Sequence, residues 1–241
     1  MSDTPAGGGA PVRWRVEVLI PAHRIVLGVA AGEVFEVAAG GSAATFRGYR
    51  ALDLPGVVHG MIAWPNTVLL SGPEHVVVDP GYATQGDMLA QALAVRGIAT
   101  DDVRTVVMTH LHSDHVSALP QLGRVDLHAH EIELNSPHAR AGRGWRDAAR
   151  EHAFTGAEGE VLPGIRFIHT PGHTDGHVAL FVETDEGEVA IVGDTLGPDP
   201  AWFADMDLPA AHPRREEHLN AFRAIAARRP ARVIPGHYPP F

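Results

Sequence analysis

Apolar and polar residues alternate near the start of the chain in the pattern of a β-strand. Residues 12–18 read Val-Arg-Trp-Arg-Val-Glu-Val, so every second side chain is apolar, as in a strand with one buried face. Apolar runs at residues 67–70 and 75–78 are separated by Ser-Gly-Pro-Glu, which predicts a β-hairpin. Another strand begins at residues 57–58, whereas residues 21–56 contain apolar runs broken by glycine pairs and are interpreted as hairpins and loops.

The rest of the chain alternates helical patterns with further strands. Residues 84–95 place apolar side chains at helical spacing and are followed by Gly97, a typical end of a helix, and residues 214–229 form a second amphipathic helix. The other predicted elements are strands at 104–108, 125–129, 164–168, 178–182, 189–192 and 232–234, a short helix at 116–122, an interrupted helical stretch at 131–152 and a loop at 197–212. This alternation predicts an α/β fold that presents polar residues at strand ends.

Length and composition indicate a soluble globular protein. The 241 residues, 45% hydrophobic and 20% charged, suit a single domain over residues 12–241, preceded by a disordered leader over residues 1–11 that is rich in glycine and proline. No apolar run approaches the roughly 20 residues of a membrane span, and the N-terminus lacks the pattern of a secretory signal. We therefore expect a cytoplasmic protein with no membrane partner.

Two residue types are absent, and their absence narrows the chemistry. The chain has no cysteine, and all 19 of its basic residues are arginine, which excludes thiolate ligands, a cysteine nucleophile and a lysine Schiff base. The formal net charge of −10 argues against nucleic acid as a partner, because binding to phosphates depends on basic surfaces. A small-molecule substrate is the expectation that remains.

A dense cluster of metal-ligand side chains follows the predicted strand at residues 104–108. His110, His112, Asp114 and His115 fall within six residues. In a loop that leaves a strand, the first two histidines project to the same side, whereas the last two residues lie past the bend. Imidazole suits zinc and similar ions, and carboxylate suits harder ones. The alternative interpretation is that the cluster is an ordinary polar surface loop. That interpretation does not explain the clustering, because neighbouring imidazoles repel one another when they are protonated.

Three more potential ligands occur in the same context, at a strand end beside a glycine. These are His173 in Pro-Gly-His-Thr, Asp194 in Gly-Asp-Thr and His237 in Pro-Gly-His. A neighbouring glycine lets the backbone bend tightly and approach an ion closely. Each motif alone is weak, but together with the histidine cluster they supply a complete ligand set for two ions.

This ordered series, from Asn66 to His237, resembles the metallo-β-lactamase-fold metallohydrolases. The resemblance implies a four-layer αββα sandwich with the metals at one edge of its two sheets. It further implies that His110, His112 and His173 bind a first ion, that Asp114, His115 and His237 bind a second, and that Asp194 bridges both. Asp79 and His177 match positions that support the metal ligands rather than bind metal. The other histidines, including His130 and His138, are interpreted as structural or surface residues.

The resemblance also implies a mechanism. Two divalent ions, which we expect to be zinc, would sit about 3.5–4 Å apart and hold a water as hydroxide near neutral pH. Asp114 matches the position that receives and returns a proton, so it is the predicted catalytic residue. A bridging carboxylate at Asp194 is unlike true β-lactamases, and residues 116–118 lack the glycines of hydroxyacylglutathione hydrolases.

The resulting functional prediction is a hydrolase for a small ester, lactone or thioester. An iron-dependent oxygenase or redox enzyme on the same fold, and a phosphodiesterase, are the alternatives. A binding module without catalysis fits less well, because all seven ligands are intact. The oligomeric state does not follow from the sequence.

The predicted loop after Asp194 contains an aromatic pair, Trp202 and Phe203. Large aromatic side chains gain from burial, so plain exposure is not expected. The pair either forms an apolar wall of the substrate pocket or packs into the core under the helix at residues 214–229.

Overall fold

The computed structural model describes residues 11–28, 34–38, 58–141, 143–197 and 201–241. The predicted leader, apart from residue 11, and much of the 21–56 region lie outside these ranges.

Fourteen strands occur in the described residues. They are β1 Arg15–Ile20, β2 His23–Gly28, β3 Val34–Ala38, β4 Val58–Trp64, β5 Thr67–Ser71, β6 His75–Val78, β7 Val103–Val107, β8 Val125–His130, β9 Ala149–Phe154, β10 Glu158–Leu162, β11 Ile165–His169, β12 Val178–Thr184, β13 Gly187–Gly193 and β14 Arg232–Pro235. The α-helices are α1 Gly86–Ala94, α2 Ser113–Val116, α3 Glu131–Leu134, α4 Pro137–Ala141, α5 Arg143–Arg146, α6 Ala201–Asp205 and α7 Arg215–Ala227. Short 3-10 turns cover Ala83–Gln85, Thr100–Asp102, Leu119–Leu122 and Asp194–Leu196.

The strands form two large sheets and one small one. The first sheet has the order β1-β5-β6-β7-β8-β9, and its strands β6 to β9 run parallel. The second has the order β10-β11-β12-β13-β14, in which only β13 and β14 are parallel neighbours. The third sheet pairs β2 with β3 and β4, so hairpins occur where the 21–56 region is described.

The two large sheets pack face to face because their strands are apolar on both sides. In β5, Val68 and Leu70 point into the cluster between the sheets, while Leu69 points to the opposite face. In β12, Leu180 enters the same central cluster, and Phe181 faces away from it. A sheet that is apolar on both faces must be covered on both.

Helices cover the two outer faces. Leu89 and Leu93 of α1 are fully buried against the first sheet. Leu219, Phe222 and Ile225 of α7 are buried against the second. The resulting helix-sheet-sheet-helix order confirms the predicted αββα sandwich.

The two edge strands β9 and β10 differ from the sequence prediction. The helical prediction for residues 131–152 is wrong at its end, where β9 runs along the edge of the first sheet. Edge strands face water on one side, so polar residues such as Arg150 and Glu151 fit there and hide the strand pattern. The acidic, glycine-containing β10 was also missed, although it pairs in antiparallel fashion with β11.

The loop predicted at residues 197–212 contains the short helix α6. Its Trp202 and Phe203 are partly buried and pack against the cluster beneath α7. The Phe203 ring lies 5.6 Å from the Phe222 ring, centroid to centroid. Part of the surface of both rings is therefore buried against the core.

No helix in the described part of the chain is long and apolar enough to cross a bilayer.

Candidate metal centre

The seven predicted ligands come together because their strands end at one edge of the sandwich. His110 follows the carboxyl end of β7, in the middle of the first sheet. His173, Asp194 and His237 follow the carboxyl ends of β11, β13 and β14 in the second sheet. These three strands run in the same direction, so their following turns meet at one edge.

His110, His112 and His173 form the first group of possible ligands. Their ligand atoms all lie within 4.8 Å of one another. Nδ1 of His112 is 2.9 Å from Nε2 of His173. His110 is fully buried, and its ring lies 4.8 Å from the His112 ring and 4.9 Å from the His173 ring, centroid to centroid.

Asp114, His115, Asp194 and His237 form the second group, again with ligand atoms within 4.8 Å of one another. Nε2 of His237 is 3.2 Å from Oδ2 of Asp114 and 3.4 Å from Oδ2 of Asp194. Nε2 of His115 is 3.3 Å from Oδ1 of Asp194.

Asp194 stands between the two groups. The same Oδ2 that approaches His237 lies 3.4 Å from Nε2 of His173, which belongs to the first group. Gly236 is required beside this carboxylate, because a Cβ at residue 236 would lie 2.0 Å from Oδ1 of Asp194. The carboxylate is therefore placed to contact both groups.

The chemistry of these atoms fits bound cations. Nε2 of His110, Nε2 of His115 and Oδ1 of Asp194 are buried and have no hydrogen bond of good geometry to any described residue. Buried polar atoms almost always have a partner. The other ring nitrogen of each histidine is already held, since Nδ1 of His110 contacts the Thr109 hydroxyl at 3.1 Å and Nδ1 of His115 contacts Asp79 at 2.9 Å. The nitrogens that remain converge on the same space.

The two groups differ in proton affinity. Burial lowers the pKa of His110 well below its ordinary value and that of His173 to about 4. In the second group burial acts in the same direction, but the Asp194 carboxylate raises the pKa of His115 well above its ordinary value and that of His237 to about 9. The histidines of the first group therefore bind protons less readily than those of the second group, so a cation at the second group would compete more strongly with protons.

Comparison with known proteins agrees with this geometry. Residues 65–237 match the metallo-beta-lactamase superfamily. The metallo-beta-lactamase domain-containing protein 1 of Xenopus laevis is 33% identical over 184 residues, covering 73% of this chain and 71% of that protein. The chain belongs to the metallo-beta-lactamase superfamily. As the sequence led us to expect, it is a metal-dependent hydrolase of that superfamily.

One further relative and one solved structure with a similar fold are also informative. The atrochrysone carboxyl ACP thioesterase of Passalora fulva is 30% identical over 167 residues, covering 65% of this chain and 46% of the fungal protein. An N-acyl homoserine lactone hydrolase with N-hexanoyl-L-homoserine bound at its catalytic metal centre has a TM-score of 0.63 at 18% identity, covering 95% of this chain and 94% of that structure. The chain spans about three fifths of the length of the mammalian proteins that share the frog protein's name.

Asp79 supports the second group of this superfamily site. It directly follows β6 and has a positive φ of 48°. Oδ1 of Asp79 accepts the backbone N–H of Thr109 at 2.9 Å, and Oδ2 accepts the Thr109 hydroxyl at 2.6 Å and contacts Nδ1 of His115. The carboxylate thus fixes both the end of β7 and the ring of one ligand.

His177 has both ring nitrogens occupied by protein groups. Its Nε2 accepts the backbone N–H of Asp194 at 3.2 Å, so its Nδ1 carries the proton and donates to the hydroxyl of Thr170 or Thr195, at 3.0 and 3.2 Å. Neither nitrogen is free for a metal, in keeping with a supporting role.

Sequence reasoning missed two residues beside the site. His138 of α4 was interpreted as surface, and it is exposed, but its ring lies 4.3 Å from the His112 ring, centroid to centroid. Glu133 of α3 is a buried carboxylate that bonds to the turns carrying His110, His112 and His173. Neither residue has a spacing pattern that links it to the histidine cluster.

His138 lines two open clefts next to the candidate ligands. One cleft, of about 510 Å³, is lined by Ile132, His173 and Arg214 among other residues. The other, of about 300 Å³, is lined by Asp114 and other residues of α2, together with Trp145. Both volumes suit parts of a small molecule.

Proposed function

We propose that this chain is a dinuclear metal hydrolase, with zinc as the metal, that cleaves a small ester, thioester or lactone. The observation that supports the proposal best is the presence of two ligand groups that share the carboxylate of Asp194. In the proposed site His110, His112 and His173 would hold one ion, Asp114, His115 and His237 would hold the other, and Asp194, which lies near both groups, would contribute to both. Histidine-rich ligand sets suit zinc.

The bound ions would polarise the substrate carbonyl and supply a water-derived nucleophile near neutral pH. The protein residues provide the orientation. Thr109 and Asp79 fix the protonated nitrogens of His110 and His115, so that the opposite nitrogens face the site.

Asp114 is proposed to accept and return a proton during the reaction. Burial alone would raise the pKa of Asp114, but the hydrogen bond from His237 lowers it below its ordinary value. The side chain is therefore ionised at neutral pH, and it lines the smaller cleft, where a substrate would lie. An ionised carboxylate at this place can act as a general base.

The clefts favour an uncharged substrate. Arg214 is the single arginine among the described residues that line them, and it is paired with Asp175 at 2.8 Å. A phosphodiester substrate would be better matched by an arginine without a carboxylate partner. The thioesterase activity in the name of the Passalora fulva relative also favours an acyl substrate.

The first prediction tests this proposal by metal content and substrate class. Protein saturated with zinc should bind two ions per chain and hydrolyse small esters, thioesters or lactones, with little activity on RNA. Elemental analysis measures the metal content, and a spectrophotometric screen measures hydrolysis of each substrate class. Both measurements are repeated after the metal has been removed with a chelator and after zinc has been added back. A maximum of one ion per chain, or a clear preference for RNA, would contradict the proposal.

The second prediction compares two histidines of one turn. His173→Ala should remove one of the two ions, because its Nε2 belongs to the first ligand group. His177→Ala should retain both ions, because its nitrogens bond to Asp194 and to threonine hydroxyls instead. Metal analysis of both variants is the measurement. Equal loss of metal in the two variants would show that the ligand assignment in this turn is wrong.

A further inference from the structure

Glu133 is a buried acid outside the proposed ligand set. It lies in α3, is only 1% exposed, and forms no ion pair with an arginine within the described ranges. Burying a carboxylate without an opposite charge is costly unless several hydrogen bonds compensate. The bonds that compensate for the burial of Glu133 all come from the turns that carry metal ligands.

The Glu133 carboxylate connects two ligand turns from different sheets. Oε2 accepts the backbone N–H of Leu111 at 3.0 Å, and Leu111 lies between His110 and His112. Oε1 accepts the backbone N–H of Gly176 at 3.1 Å and also the hydroxyl of Thr174, the neighbour of His173. One side chain therefore fixes the relative position of all three ligands of the first group.

Gly176 shows that this contact is close on the backbone side as well. A Cβ at residue 176 would lie 2.5 Å from the backbone nitrogen of Glu133 and 2.9 Å from its Cγ. Such distances are too short for any side chain, so the turn after His173 reaches α3 only because residue 176 is glycine.

The start of α3 is itself fixed. His130 precedes the helix, and its Nδ1 accepts the backbone N–H of Ile132 at 3.3 Å. Its Nε2 donates to the carbonyl of Gly156 at 3.1 Å, and its ring stacks on His169 at the end of β11. The helix that carries Glu133 is therefore anchored at its start by His130. For this reason Glu133 can determine the position of the two turns.

We propose that Glu133 is a positioning residue that sets the affinity of the first metal position alone. Asp79 differs, because it contacts His115 of the second group directly and Thr109, which in turn holds His110 of the first group. The hydrogen bonds of Glu133 reach only the turns of the first group. The inference rests on the proposed two-ion function. Loss of such supporting hydrogen bonds typically weakens metal affinity by about 10–100-fold.

The third prediction is made for Glu133→Gln. The amide keeps the size of the side chain but turns one acceptor into a donor that faces the donors of Leu111, Thr174 or Gly176. We expect one of the two zinc affinities to fall by about 10–100-fold and the other to change by less than about three-fold. Competition with a chromophoric chelator measures both affinities. Anomalous diffraction from crystals with one zinc per chain then shows which position is occupied, and the empty position is the weakened one.

Controls separate this role from a general structural one. Glu131→Gln changes an exposed acid of the same helix and should leave both affinities unaltered. Thr174→Val removes one bond to Glu133 and should weaken the same position by a smaller factor; it also decides the question if Glu133→Gln does not fold. A wild-type chain that binds fewer than two zinc ions would contradict the proposed function. If the wild type binds two ions but Glu133→Gln or Thr174→Val leaves both affinities unaltered, or weakens both positions equally, the inference is overturned and the proposed function is not.

Discussion

Replacing Asp194 by asparagine should weaken both metal positions and reduce hydrolysis by at least about a thousand-fold, which corresponds to about 4 kcal/mol of transition-state stabilisation. The reason is that its carboxylate lies within 3.4 Å of both His173 and His237, so a neutral amide removes a negative charge from both groups at once. Metal content and kcat/KM under saturating zinc are the measurements.

A matched control is available in another turn of the second sheet. Asp185→Asn changes an exposed acid between β12 and β13 and should leave metal content and kcat/KM near their wild-type values. If Asp194→Asn kept two tightly bound ions and its activity, Asp194 would not bridge the two positions.

The largest expected effect on stability comes from Phe222→Ala. Phe222 is fully buried between α7 and the second sheet, in the cluster that includes Phe181 and the partly buried Phe203. Truncation of a buried phenylalanine to alanine costs about 3–5 kcal/mol, because transfer energy is lost and a cavity remains. Urea unfolding of the metal-free protein measures this change in the free energy of unfolding.

Phe241→Ala is the matched control for this substitution. Phe241 also lies near Phe203 but is 54% exposed, so its truncation should cost less than about 1 kcal/mol. Zinc affinity should stay unchanged in both variants when measured below the unfolding transition. A strong loss of zinc affinity in folded Phe222→Ala protein would show that the outer helix layer, and not the strand ends alone, determines the geometry of the site.

The grouping of the candidate ligands could be predicted because these residues follow strong local patterns. The histidine cluster comes directly after an apolar strand, and the other ligands each follow a strand and sit beside a glycine. Gly236 shows why that glycine matters, since a Cβ at this position would collide with Asp194. Fold class was predictable for a similar reason, because strands such as β5 and β12 are apolar on both faces and must lie between covering layers.

The missed features depend on contacts between distant parts of the chain. Edge strands β9 and β10 face water, so their residues need not alternate cleanly between apolar and polar. Glu133 looks like an ordinary acid of a surface helix, and only the approach of Leu111 and Gly176 from two different sheets makes it a buried, bonded carboxylate. No local pattern contains that information.

The distribution of the ligands along the chain has a consequence for folding. More than half of the sequence lies between His110 and His237, and the two residues follow strands of different sheets. The complete ligand set therefore forms only after the sheets have docked, which places tight metal capture late among the folding events. A metal that binds only this docked state stabilises it by about 4 kcal/mol at a thousand-fold excess over Kd, so the metal supply of the cell would help set the fraction of chains that are folded.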